Sequence, residues 1–177
     1  AQRQGPGFAV ARAQIWTSIL AGSYAIVDRA IQQNDPAPAQ SWLPVREFRV
    51  TTRFSRPGTS ATQAIGTLAQ GKMSSAEALL AVRADLFDTY QAELAEALHD
   101  LSEADLRGFA IRRAELAALA EGYFWILSPA YDQERGNSAL NTAMAAFHEL
   151  SDAAFGGQDL SAPLQHVDDV LHHFRAA

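Results

Sequence analysis

From Phe8 to about Gln33, apolar residues Trp16, Leu20, Tyr24, Val27 and Ile31 recur at every third or fourth position, while Ile15, Ile19 and Ile26 widen the stripe. That period predicts one long, well-buried helix. A second strongly periodic run passes through Leu79, Val82, Leu86, Tyr90, Leu94, Leu98 and Leu101. Ser74 followed by Glu77 has the capping-box spacing that opens such a helix, and at 1.5 Å per residue it would run for roughly eight turns. The pattern breaks near Arg107-Gly108 and resumes with Leu116, Leu119, Tyr123, Ile126 and Leu127. Pro129 is expected to kink or end that helix. Two further stripes follow, Leu140, Met144, Phe147 and Leu150, then Leu164, Val167, Leu171 and Phe174.

The punctuation between these runs predicts short elements and turns. NDPAPAQ, at 34–40, reads as a break, because a residue before proline is pushed away from the helical region. A helix is then expected from near Ser41, with Pro44 in its first turn. RPGTS, at 56–60, reads as a turn whose Thr59 or Ser60 caps a short helix to about Gln70, ended by Gly71. Gly136-Asn137 and FGGQD, at 155–159, separate the last helices. There is no fixed-period repeat, no low-complexity tract and no strand pair. The expectation is an all-α protein, an antiparallel helical bundle of about five main helices with one or two short extra ones, forming a single domain over 1–177.

Composition agrees with this and narrows the function. Hydrophobic residues make up 48% of the chain and charged residues 19%, an ordinary globular balance. Twenty Asp and Glu against 14 Lys and Arg give a net charge of -6, which argues against nucleic acid as a partner. The absence of cysteine removes disulfides, thiolate metal sites and cysteine nucleophiles together. The uncharged stretch AQIWTSILAGSYAIV, at 13–27, is shorter than the ~20 apolar residues a span requires, so no direct membrane span is expected in this chain. The start at Ala1-Gln2, without a methionine, suits either a processed mature N-terminus or a trimmed chain, and hints only mildly at export.

Two constellations could carry chemistry. Arg46, Arg49, Arg53 and Arg56 fall at spacings that would align four guanidiniums on one helical stripe. Such a stripe fits an anion or a partner protein, and equally fits ion pairs with acids of the long helix, such as Asp85, Asp88, Glu93 and Glu96. In HVDDVLHH, at 166–173, His166, Asp169 and His173 share a stripe at i, i+3 and i+7. Imidazoles with a carboxylate suit iron, zinc or copper, and His148 and Glu149 of a neighbouring helix could complete the set. The same histidines could equally be a solvated flank. His99 and Glu103, at i and i+4, offer a weaker metal pair or a surface contact. Tyr123, Phe124, Trp125 and Tyr131 read as packing residues. No phosphate loop, nucleophile elbow or Ser, His and Asp set appears, so no enzyme is expected.

The segments REFRVTTRFSRPGTSATQAI (46–65), EALLAVRADLFDTYQAELAEAL (77–98) and RGFAIRRAELAALAEGYFWILSPAYDQERG (107–136) resemble a helical extracytoplasmic segment of bacterial proteins of the high-affinity iron permease family. The likeness spans positions 46–136, about half of the chain. It implies an exported domain in the periplasm or cell envelope, tied to uptake of iron or another divalent metal, which presents metal to a membrane permease or docks a partner. The chain departs from the permease's Arg-Glu-x-x-Glu signature: Arg46-Glu47-Phe48-Arg49-Val50 lacks the second glutamate, so Glu47 gains no metal role. The alternative reading is a structural or interaction subunit of an envelope complex with no metal role.

Overall fold

The computed structural model describes residues 5–47 and 60–176. Among them lie seven α-helices and no strand: α1 (Pro6–Gln32), α2 (Pro36–Trp42), α3 (Ala61–Ala69), α4 (Ser75–Leu106), α5 (Ala110–Arg135), α6 (Asn137–Gly156) and α7 (Ser161–Leu171). The all-α class, with five longer helices and two short ones, is therefore what the hydrophobic pattern predicted. No described helix is long and apolar enough to cross a membrane. Internal packing divides the chain into two compact units, Ala1–Ser18 with Gln91–Ala176, and Ile19–Tyr90. The helices α1 and α4 contribute a part to each.

In the unit formed by Ile19–Tyr90, α2 packs on α3. The break expected at 34–40 is instead the start of α2. Asp35 caps it by accepting a hydrogen bond from the Ala37 amide at 3.3 Å, and Pro36 and Pro38 occupy the first turn. Amide hydrogens there have no helical acceptor, so the prolines forfeit nothing. The helix ends at Trp42, close to where the expected one would begin. Short α3 begins after Ser60, as expected, but Ser60 makes no side-chain cap. Asp85 of α4 supplies the acceptor, taking the Ala61 amide at 2.7 Å. At the start of α4 the capping box is formed, with Glu77 accepting from both the Ser74 amide (2.9 Å) and hydroxyl (2.7 Å).

In the other unit, α5 packs on α6 and α6 on α7. The core is an aromatic chain: Phe124 stacks on Phe147 with centroids 4.4 Å apart, meets Tyr131 edge-on at 5.3 Å, and Tyr131 meets Phe174 at 4.9 Å. Pro129 does not end α5, which continues to Arg135. The proline removes the amide that would bond the Trp125 carbonyl, and the Ser128 hydroxyl replaces it, donating to that oxygen at 2.7 Å. A neighbour's side chain thus repairs the ladder.

Candidate functional site

The arginine row does not lie on a helix where it can be described. Arg46 sits in the bend after α2, and Arg49, Arg53 and Arg56 fall outside the described residues. The Arg46 guanidinium donates to the Leu43 carbonyl at 3.4 Å and to the Thr62 hydroxyl at 3.0 Å. Partial burial lowers its pKa, while the charge of Asp85 pulls the other way. This arginine therefore ties the α2 end to α3, which is a structural role.

The histidine candidates are dispersed. His166 on α7 faces Glu149 on α6, with Nδ1 3.2 Å from the carboxylate. His148 stands 3.5 Å from Glu121 and 3.6 Å from Asp152. Asp169 accepts from Gln165 at 2.9 Å. His173 is not on the expected stripe, because α7 ends at Leu171 and the chain turns away. Among the described residues no group of three His, Asp or Glu side chains is placed to hold a metal ion. The structure brings His166 and Glu149 together, while the contacts of His148 and Asp169 are to Glu121, Asp152 and Gln165.

His173 belongs to a different arrangement. Tyr131 donates to the Val170 carbonyl at 2.8 Å, and Arg135 donates to the carbonyls of Val170 (3.0 Å) and His172 (2.5 Å). These bonds satisfy carbonyls left open at the end of α7. On the other side, Gln91 of α4 donates to the Phe174 carbonyl and accepts from the Ala176 amide, both at 2.9 Å. The segment 172–176 is thus pinned from both sides, with Phe174 buried as its anchor. His173 is held at φ 62, a left-handed conformation that a non-glycine residue enters at a cost.

The pinned segment closes one wall of an open groove of about 510 Å³, whose other walls are α4 and α7. Leu94, Leu98, Leu164 and Leu171 form its apolar lining, and His99, Asp168, His173 and Arg175 supply its ionisable groups. Asp168, rather than its neighbour Asp169, is the carboxylate of this groove. His99 is visible in the sequence only as a partner of Glu103, since nothing local places it opposite the chain end. His99, His173 and Asp168 share this groove with the cationic Arg175, and the three are not converged as one ligand set, whereas tight chelation needs three or more converging ligands.

The comparison with known families is specific: the model described as the iron permease FTR1 N-terminal domain matches residues 1–170, and the chain belongs to that family. The chain is thereby associated with iron uptake, in a family of transporters rather than enzymes. No curated protein and no solved structure matches it.

Proposed function

We propose that this chain is an extracytoplasmic helical module that presents iron to the membrane part of a permease. The observation that carries the reading is the groove where His99 of α4, Asp168 of α7 and His173 of the pinned C-terminal segment line one cavity. Iron is cargo here, so loose binding is an advantage: a site that hands an ion on must release it. Fe(II) accepts imidazole and carboxylate ligands, and water completes its shell. Membership of an iron permease family supports the cargo and the membrane partner.

Anaerobic titration of the chain with Fe(II), followed by calorimetry, tests the proposal. Binding with a Kd near or below about 100 μM is expected. His99→Ala combined with His173→Ala should weaken it at least tenfold, whereas His166→Ala should leave it unchanged. Loss in His166→Ala with retention in the double variant would move the site to the α6–α7 face, and no Fe(II) binding at all would remove metal presentation.

A further inference from the structure

The connection between α4 and α5 breaks the rule that tight turns carry small or polar residues. Leu106 to Arg112 are all exposed, a run bounded by buried Ala104 and Ala114. Within it, Leu106 is 82% exposed, Phe109 55% and Ile111 47%. Leu106 and Phe109 occupy positions where local structure favours another residue. Leu106 is the last residue of α4, where a basic or polar side chain suits the free carbonyls. Phe109 is the N-cap of α5 and provides no side-chain cap, in a place that Ser, Thr, Asp and Asn favour. Gly108 makes the turn possible at φ 69, and Leu106 and Phe109 flank it on either side.

This end of the unit is held rigid from behind. The Arg113 guanidinium pairs with Asp105, and donates to the carbonyls of Ala153 (2.9 Å) and Gln158 at the end of α6. One arginine therefore ties the α4–α5 turn to the α6–α7 turn, and the last turn of α6 carries a fourth exposed apolar side chain, Phe155, at 57%. Beside the apolar residues stand two exposed guanidiniums. Arg107 pairs with Glu103 at 3.1 Å, and Arg112 with Asp100 at 3.4 Å and Glu115 at 3.1 Å, so local charge is balanced.

We propose that the Leu106–Ile111 turn is a membrane-interface anchor, inserting Leu106, Phe109 and Ile111 among lipid headgroups, with the ion-paired Arg107 and Arg112 at the level of the headgroups. The shape selects the occupant. A helical partner would need an apolar stripe at three- and four-residue spacing over several turns, which this short exposed turn does not supply, whereas a fluid bilayer accommodates it. Arginine stems can lie along the acyl boundary with their charged ends in the headgroups. The balanced charge fits a zwitterionic surface better than a strongly anionic one. A permease family places a bilayer within reach of this domain. The inference uses that membership and is independent of the iron groove.

Flotation of the purified chain with phosphatidylcholine vesicles, and with vesicles containing phosphatidylglycerol, tests it without metal or permease. The chain should float with both. The combined Leu106→Ser, Phe109→Ser and Ile111→Ser variant, with unchanged far-UV circular dichroism, should partition at least tenfold less. Phe109→Trp, which keeps the apolar character, should shift its added emission to the blue on vesicle addition and be quenched by lipids brominated on their acyl chains. A chain that stays in the buffer at every composition, a serine variant that floats as well as the parent, or an added indole emission that does not move in the Phe109→Trp variant would each overturn the anchor. Loss of self-association in the serine variant without any vesicle binding would assign the turn to protein contact instead. Because iron is absent, failure here leaves the groove reading standing, and failure of the iron titration leaves this one standing.

Discussion

Gly122 of α5 is where Thr17 of α1 comes closest: a Cβ added to the glycine would stand 2.5 Å from the Thr17 Cβ and closer still to its hydroxyl oxygen. Thr17 cannot swing away easily, being buried with its hydroxyl donating to the Ala13 carbonyl at 3.1 Å. Gly122→Ala should therefore destabilise the fold by about 1–3 kcal/mol, overpacking outweighing the ~1 kcal/mol that alanine gains in a helix. Adding Thr17→Ala should recover only part of the loss, because its own Cβ remains too close. Urea unfolding of the four-member cycle measures the coupling, and additive effects would show that the helices separate without resistance.

In the Ile19–Tyr90 unit, Asp28 and Arg83 form a two-pronged pair, with Nε 2.6 Å from one carboxylate oxygen and Nη2 3.1 Å from the other. Tyr24 donates to the same carboxylate at 3.4 Å and Gln32 at 2.5 Å. The fork geometry makes this stronger than an ordinary surface pair, while the half-exposed arginine limits the gain. Arg83→Met should cost about 1–2 kcal/mol, and Arg83→Lys should recover less than half, since an ammonium cannot make both contacts. Equal stability of the Lys variant and the parent in urea melts would show that only the charge matters.

Acid sensitivity is expected at Glu115. Burial pushes its carboxyl upward, yet hydrogen bonds and charge from Arg12 and Arg112 outweigh that and leave its pKa below the ordinary carboxylate value. The folded form thus holds its proton less tightly than the unfolded chain. Its contribution is present in full above the unfolded value of about 4.3, and is lost as pH falls through the lower folded value. Glu115→Gln should cost about 1 kcal/mol at pH 7, a modest figure because both arginines are substantially solvated. Below about pH 4 the difference between variant and parent should shrink. A difference constant from pH 7 to pH 3 would assign the effect to packing rather than charge.

Helix number, class and most boundaries were legible because they depend on local chemistry. The Ser74–Glu77 box, Gly71 and Gly136-Asn137 each act within a few residues of themselves. Proline is where local reading fails. Pro36 and Pro38 suggest a break, although as first-turn residues they favour a helix, and Pro129 suggests the end of α5 because the Ser128 repair depends on a rotamer. The site was less legible. The stripe His166, Asp169 and His173 assumes a helix through residue 173, but Tyr131 and Arg135 hold the carbonyls where α7 stops. Those bonds join positions far apart in the chain, and so does the meeting of His99 with His173 in one groove. Periodicity carries no trace of either.

The left-handed backbone at His173 separates stability from function. A non-glycine residue at φ 62 costs about 1 kcal/mol relative to glycine, while glycine's greater freedom in the unfolded chain offsets part of that. His173→Gly should therefore leave thermal stability unchanged or raise it by up to about 1 kcal/mol, because Phe174 and the Gln91 bonds still anchor the segment. The same variant removes one imidazole from the groove, and Fe(II) binding should weaken several-fold. His173→Asn, which tolerates this backbone region but ligates metal poorly, should behave alike. A stable glycine variant with weakened binding marks strain kept for a ligand. A clearly destabilised one means the imidazole packs on His172, whose ring lies 3.8 Å away, and serves the fold.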